Sequence, residues 1–294
     1  MTAFQRFTDK LRKAVSKRYG ETCLVEVNEI EKNNGVVYHG ITIKRKDSNI
    51  SPTIYLEKLY QEYEDGVPLG DILEKVIQIY EDHKIEGGID LQFLLDFEKI
   101  KEKIVFRLIH YENNREMLSE VPYVRFLDMA VIFYCSIAHE TLGNIAIVIK
   151  KNICRIWGIE KEELLLLAGR NTPVLLPFTL RSMEQIMEEL GHISCVSGKE
   201  PCMYVLTNSR KMFGAACLLY PDVLKHFAQA ADKSFYVLPS SVHEVILVPE
   251  RKGFCGEAFR QIVKEMNGEQ VEWEEVLSDS VYYYDREKGK LEKI

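Results

Sequence analysis

The sequence contains no long apolar run of the kind that crosses a membrane or directs export. Its apolar runs, such as Met129 to Cys135 and Ile145 to Ile149, are much shorter than the roughly 20 residues that a bilayer-spanning helix needs. Met1 to Arg6 lead directly into an amphipathic pattern and contain no apolar signal core. We therefore expect a soluble cytoplasmic protein without a transmembrane segment.

The familiar signatures of catalysis and nucleotide binding are also missing. The sequence contains no G-x-x-x-x-G-K-[ST], G-x-G-x-x-G, H-E-x-x-H or G-x-S-x-G. These absences remove the simplest arguments for an enzyme, and we expect no cofactor. The net charge of −7 argues against a generic nucleic-acid-binding protein.

The cysteines show no pairing pattern. Their number is odd, several lie inside apolar runs, and no C-x-x-C is present. Free thiols in a reducing cytoplasm are the simplest interpretation. The seven positions are Cys23, Cys135, Cys154, Cys195, Cys202, Cys217 and Cys255.

What the sequence does contain is typical of a folded globular protein. Of 294 residues, 46% are hydrophobic and 28% charged, which suffices for one large domain or two modest ones. The segment from Lys84 to Gly88 carries the strongest signal for a break in secondary structure, and it predicts a domain boundary between residues 1–88 and residues 89–294. One continuous domain is the alternative that we leave open.

The N-terminal region predicts a helix followed by a hairpin and a helix pair. Apolar residues at helical spacing predict an amphipathic helix over residues 3–18. Strands are predicted at 23–27 and 35–44, joined through Asn33-Asn34-Gly35, because Asn-Gly tolerates positive φ. A helix over 51–63 and a second one around residues 72–80 follow. The first helix has a basic face formed by Arg6, Lys10, Lys13 and Lys17.

This basic face allows two interpretations. It could contact phosphates of nucleic acid or an anionic membrane. It could also be a solvated face of a helix docked on an acidic body, and we favour this second interpretation.

Strands and helices alternate after residue 89 without a regular βαβ repeat. We therefore predict an α+β fold with a mixed, mainly antiparallel sheet packed with helices. The predicted strands are 104–110, 124–137, 145–150, 202–206, 235–238, 242–248 and 281–284. The predicted helices are 91–102, 151–171, 179–190, 214–231 with a restart at Pro221, and 258–266.

The segment Ser240-Ser241-Val242-His243-Glu244 is the first candidate site. On a strand, Ser241 and His243 would point to one face and Glu244 to the other. A Ser241–His243 dyad could then supply a nucleophile and its base. The alternative is a turn after Pro239 whose hydroxyls bond to the backbone, and we favour the turn.

Two further candidates contain cysteine. Cys135 and His139 could form a thiolate pair near the end of a strand, although a hairpin explains the same residues. His192, Cys195 and Cys202 are weak candidates for a metal site, because zinc usually takes four ligands and no second pair stands nearby. We therefore predict no metal.

Asp128 is the last candidate, because it interrupts the apolar run from Phe126 to Phe133. A carboxylate buried there would need a partner such as an arginine or backbone amides. We favour structural pairing over chemistry.

Several segments carry a resemblance to a known family. They are NNGVVYHGITI, ISPTIYLEKLYQEYEDG, VPYVRFLDMAVIFY, IWGIEKEELLLLAGRNTPVLLP, MYVLTN, GAACLLY and LPSSVHEVILVP. Over nearly its full length the chain resembles the bacterial domain-of-unknown-function family 5688. The resemblance implies a cytoplasmic bacterial protein with an α+β fold, and it brings no activity, substrate or catalytic residue.

Three functional hypotheses follow. The first is a non-enzymatic binding or regulatory protein with a protein or small-molecule partner. The second is a hydrolase-like enzyme that uses the Ser240–Glu244 loop, with Asp128 or Asn208 nearby. The third and weakest is contact with nucleic acid or an anionic membrane through the first helix, which would depend strongly on salt.

Overall fold

The computed structural model describes residues 1–48, 50–84, 92–139, 143–191, 203–253 and 256–294. Within them the fold is α+β, with antiparallel sheets, as predicted. The chain divides into two compact units. Unit 1 comprises Met1–Lys32 and Val36–Phe93, and unit 2 comprises Asn33–Gly35 and Leu94–Ile294. The predicted boundary at 84–88 lies mostly outside the described residues.

Unit 1 is a three-stranded antiparallel sheet with three helices. Its strand order is β1-β2-β3. The apolar stripe of the first helix is buried as its spacing predicts, and Thr2 caps the helix by accepting from the Gln5 backbone N–H. The elements are α1 (Ala3–Tyr19), β1 (Cys23–Glu31), β2 (Val37–Arg45), β3 (Thr53–Tyr55), α2 (Glu57–Glu64) and α3 (Leu69–His83).

The helices and strands predicted in the N-terminal region agree with the structure except over residues 51–56. The four basic residues of the α1 face are all exposed. Asn34 and Gly35 take the positive φ angles of 60° and 69° expected for the turn between β1 and β2. The predicted helix over 51–63 is wrong at its start, because Thr53–Tyr55 pairs with β2 and the helix begins only at Glu57.

Unit 2 contains two antiparallel sheets. The helices are α4 (Phe97–Ile100), α5 (Arg115–Glu120), α6 (Lys151–Trp157), α7 (Lys161–Leu175), α8 (Met183–Glu189), α9 (Val223–Ala231) and α10 (Gly256–Glu269). The four-stranded sheet consists of β4 (Ile104–His110), β5 (Tyr123–Phe126), β6 (Met129–His139) and β7 (Gly143–Val148). The six-stranded sheet consists of β8 (Phe178–Ser182), β9 (Tyr204–Asn208), β10 (Phe235–Pro239), β11 (Val245–Pro249), β12 (Tyr282–Asp285) and β13 (Lys290–Lys293).

Strand β6 is the centre of the four-stranded sheet. One edge pairs with β4, and the other edge pairs first with β5 and then with β7. The outer edge of β4 is closed by α7, where the Thr172 hydroxyl accepts from the Phe106 backbone N–H at 3.1 Å. The order in the six-stranded sheet is β13-β12-β10-β11-β9-β8.

Three predicted elements of unit 2 are wrong in ways that matter for the site. The strand predicted over 124–137 is two strands, because the chain turns at Leu127, whose φ is 55°. Residues 178–182 form β8 rather than the start of a helix, and Ser182 caps α8. The restart predicted at Pro221 agrees with the break between the 3-10 helix Gly214–Leu219 and α9. The strand predicted from Val242 begins only at Val245.

Candidate functional site

The Ser240–Glu244 segment forms a turn between β10 and β11. The Ser241 Oγ accepts from the backbone N–H of His243 at 3.0 Å, and the Ser241 N–H donates to the Glu244 carbonyl at 3.2 Å. Both contacts are local side-chain or backbone bonds that close a turn. Ser241 and His243 therefore do not lie on a strand, and the prediction that a strand would place them on one face does not apply.

The His243 imidazole is held by groups other than Ser241. Its Nδ1 accepts from the Phe213 backbone N–H at 3.1 Å, and its Nε2 lies 3.4 Å from Glu275 Oε1. Because Nδ1 is an acceptor, the neutral ring carries its proton on Nε2. The contacts of the described residues include none between the Ser241 hydroxyl and the imidazole. A catalytic role for Ser241, His243 and Glu244 stays a prediction.

Asn208 organises the loop that brings Phe213 to His243. Its Oδ1 accepts from the Arg210 N–H at 3.0 Å, and its Nδ2 donates to the Met212 carbonyl at 2.8 Å. Lys211 and Phe213 both have left-handed backbones, with φ of 52° and 56°. Such conformations are costly for a bulky residue and are held only by surrounding structure. The loop is therefore firmly specified.

Gly214 lets this loop lie against the turn of His243. A Cβ at position 214 would lie 2.2 Å from Thr207 Oγ1, 2.5 Å from the His243 carbonyl oxygen and 2.7 Å from the Asn208 nitrogen. Two of these atoms are backbone atoms that cannot rotate away. The Thr207 hydroxyl also donates to the His243 carbonyl at 2.8 Å. Only glycine fits between these groups.

The Phe213 ring is the centre of a stacked cluster. It lies 5.6 Å from the His243 ring at an interplanar angle of 17°, and it meets Tyr134 edge-on at 5.7 Å. The Arg107 guanidinium lies 4.4 Å from the centre of the same ring. We define the Arg107 cluster as Arg107, Tyr134, Arg210, Phe213 and His243.

Arg107 and Tyr134 project from the same face of the four-stranded sheet. Val105 pairs with Tyr134 and Arg107 pairs with Ile132, so Arg107 and Tyr134 are diagonal neighbours on β4 and β6. The Arg107 Nε and the Tyr134 hydroxyl are both enclosed, and neither has a hydrogen-bond partner among the described residues. Two polar groups on one face therefore have unsatisfied hydrogen-bonding capacity.

The electrostatics of the cluster follow from burial. Burial lowers the pKa of Arg107 to about 10, and the nearby Tyr134 opposes this shift. Burial also raises the pKa of Tyr134 to about 12, against the positive charges of Arg107 and Arg210. At neutral pH the arginine is therefore a cation and the phenol is neutral. In the described residues Arg107 has no carboxylate partner.

Asp128 lies apart from this cluster and already has partners. It sits in the turn between β5 and β6, where its carboxylate accepts from Ser280 at 2.7 Å, Tyr282 at 2.5 Å and Lys293 at 3.0 Å. Ser278 donates at 3.1 Å. Burial would raise the pKa of Asp128, but these hydrogen bonds and Lys293 lower it to about 2. Its contacts tie the turn to the C-terminal strands.

The cysteine candidates are only partly described. Burial raises the pKa of the Cys135 thiol to about 12, which disfavours a thiolate. The His139 side chain, and all of His192, Cys195 and Cys202, lie outside the described parts, so neither the possible thiolate pair nor the weak metal candidates are tested. Among described residues, no group of three or more His, Cys, Asp or Glu could hold a metal ion.

A cleft of about 450 Å³ in unit 1 offers an instructive contrast. Its charged side chains bond to one another: Tyr19 donates to Glu81 at 2.9 Å, Lys84 pairs with Glu81, and Arg45 pairs with Asp47 at 2.7 Å. The charges around this cleft are neutralised locally. The Arg107 cluster differs, because no carboxylate in the described part of the chain neutralises its guanidinium group.

The geometry defines an α+β protein in which a partly exposed arginine, with no carboxylate partner among the described residues, lies beside a stacked aromatic cluster. Comparison with known families matches residues 4–286 to the family of unknown function DUF5688, and the chain belongs to this family. No curated protein and no solved structure matches. No helix in the described ranges has the length and apolar character needed to cross a membrane.

Proposed function

We propose that the protein is a non-enzymatic binding protein whose unit 2 holds a small anionic ligand at the Arg107 cluster. The observation that carries this proposal is the Arg107 guanidinium itself. Its Nε is enclosed without an acceptor, and it has no carboxylate partner in the described part of the chain. A buried charge is costly unless it is paired. An anion from outside would supply the missing counter-ion.

The chemistry of the side chain defines the class of ligand. A guanidinium presents five donors in a planar fork that matches the two oxygens of a carboxylate or phosphate. The Arg107 side chain is only partly exposed, and the Phe213 ring beneath it excludes water from one side of the fork. Both features strengthen a charge-assisted contact.

The contacts of Ser241 and His243 favour binding over hydrolysis. The Ser241 Oγ accepts from a backbone N–H, and the imidazole Nδ1 accepts from the Phe213 N–H. A general base needs a free lone pair within reach of its nucleophile. These groups instead hold in place the loop that carries Phe213. The hydrolase alternative would require Ser241→Ala to abolish turnover of an ester or amide while the fold is retained.

Anion binding is tested by calorimetry and by thermal unfolding of the full chain. Acetate, benzoate and inorganic phosphate are titrated into the wild type, Arg107→Gln and Arg125→Gln. Arg125 is the matched control, because it is exposed and lies 4.3 Å from the Tyr111 ring in the same kind of cation–π contact. We expect at least one anion to bind the wild type and Arg125→Gln but not Arg107→Gln. Binding to none of them, or equal binding to all, would contradict the proposal.

The cellular setting is part of the same proposal. Cys23, Cys135, Cys154 and Cys217 are free thiols, which supports a reducing cytoplasm. The resemblance of the sequence to a bacterial family supports a bacterial source. Contact of the exposed α1 face with nucleic acid or an anionic membrane is the weaker alternative, and binding that is indifferent to salt would exclude it.

A further inference from the structure

A second arginine stands beside the proposed anion site. The Arg210 Nη1 donates to the Ser136 hydroxyl at 3.2 Å. Ser136 is two residues from Tyr134 on β6, so both side chains project from the same face of the sheet as Arg107. Arg210 is exposed, and it has no carboxylate partner within the described ranges. Arg107 and Arg210 are therefore both close enough to act electrostatically on Tyr134.

Tyr134 lies on the same face of the sheet as Arg107 and Ser136, and its hydroxyl group has unsatisfied hydrogen-bonding capacity. The residue is 1% exposed, and its hydroxyl has no hydrogen-bond partner among the described residues. Buried hydroxyls normally find a partner, so this one has an unused hydrogen-bond donor. The positive charges of both Arg107 and Arg210 act on it. The side chains of Arg107, Arg210 and Tyr134 can therefore contact one ligand.

We infer that the ligand carries a phosphate monoester, whose dianionic group is held jointly by Arg107, Arg210 and the Tyr134 hydroxyl. This inference rests on the proposed function. A planar carboxylate has two oxygens and one negative charge, which a single guanidinium satisfies. A phosphate monoester has three terminal oxygens and close to two negative charges at neutral pH. Two guanidinium groups and one phenol match that set in number and in charge.

The test compares two ligands that differ in charge but share tetrahedral geometry. Methyl phosphate is close to a dianion at neutral pH and dimethyl phosphate is a monoanion, and acetate adds a planar monoanion. Each is titrated by calorimetry into the wild type, Arg107→Gln, Arg210→Gln and Lys211→Gln. Lys211 is the matched control, because it is an exposed cation next to Arg210. Circular dichroism verifies that each variant is folded.

We expect the wild type to bind methyl phosphate at least about tenfold more tightly than dimethyl phosphate. Arg210→Gln should weaken the binding of methyl phosphate by about tenfold, because it removes one charge-assisted contact. The same substitution should weaken the binding of dimethyl phosphate by less than about threefold. Lys211→Gln should change neither by more than about twofold, because exposed charges act weakly at a distance.

The outcomes separate this inference from the function on which it rests. If all three anions bind with similar affinity and only Arg107→Gln matters, the phosphate inference fails and the anion site stands. If Arg210→Gln and Lys211→Gln weaken binding equally, the effect of Arg210 is general electrostatics and the inference also fails. If no anion binds the wild type, both proposals fail.

Discussion

Replacing Arg107 with methionine should stabilise the ligand-free protein. Methionine keeps an unbranched apolar chain of similar reach beside Phe213 and Tyr134, and it removes the charge that has no carboxylate partner in the described part of the chain. Most substitutions in a buried strand destabilise. An increase in stability on replacing Arg107 would therefore indicate that the arginine is kept for a function although it destabilises the fold.

The expected size of the increase follows from two opposing effects. Burial lowers the pKa of Arg107 from 12.5 to about 10, which corresponds to a penalty of about 3 kcal/mol for the charged form. The cation–π contact with Phe213 returns about 1 to 2 kcal/mol. The difference predicts that Arg107→Met raises the free energy of unfolding by about 1 to 2 kcal/mol.

The assay is urea unfolding followed by tryptophan fluorescence. The sequence has two tryptophans, and both Trp157 and Trp273 lie in unit 2, so their signal reports the unit that contains Arg107. Arg125→Met is the control, because Arg125 is an exposed arginine over an aromatic ring. We expect it to change stability by no more than about 0.5 kcal/mol.

A saturating ligand should reverse the order of the two proteins. An anion at about a hundredfold excess over its dissociation constant stabilises a protein that binds it by about 3 kcal/mol. The wild type would gain this increment and Arg107→Met would not. If Arg107→Met instead lowers the free energy of unfolding by about 1 kcal/mol or more without ligand, the charge is already satisfied in the protein and the reasoning is refuted.

Three further predictions use the same unfolding assay. The Asp128 side chain is 17% exposed, and its pKa is lowered from 3.8 to about 2. The charged carboxylate therefore stabilises the fold fully above pH 3.8, and this stabilisation is lost as the pH falls through about 2. The wild type should lose about 2 kcal/mol more than Asp128→Asn over that interval, and parallel curves would contradict this. Gly214→Ala should cost about 2 to 3 kcal/mol, because its Cβ would overlap backbone atoms. Gly169→Ala, with open space around a helical glycine, should instead stabilise by about 0.5 to 1 kcal/mol, and equal effects would refute the steric argument. Thr172→Val should cost about 1 to 3 kcal/mol by leaving the Phe106 N–H unpaired, whereas Thr172→Ser should retain most of the stability.

The parts of the fold that sequence reasoning predicted are those with strong local signals. The apolar stripe of α1 and the Asn-Gly turn after β1 each depend on a few neighbouring residues. The errors at β3 and β8 have one cause. Short segments that carry mixed polar and apolar residues become strands only because a partner strand lies beside them. Pairing of this kind is non-local, and it overrides weak local propensity.

The hairpin at Asp128 shows the same limitation in an apolar run. No glycine or proline marks the turn between β5 and β6, and Leu127 takes a left-handed φ without the usual residue types. The apolar residues from Val124 to Ile137 therefore predict one unbroken strand. The carboxylate was a real signal nonetheless, because it needed partners. Those partners, Ser280, Tyr282 and Lys293, come from the far end of the chain and could not be identified by spacing.

The candidate site was missed for a related reason. Sequence reasoning favoured the serines and histidine of the Ser240–Glu244 segment, where polar residues cluster. A polar cluster beside proline can satisfy its own hydrogen bonds within a turn, as Ser241 does here. Arg107 had the stronger signal, because it stands alone in the apolar strand Ile104–His110 and has no local acceptor. An isolated ionisable residue in a buried strand requires a partner from elsewhere, and for Arg107 the ligand is the partner that we propose.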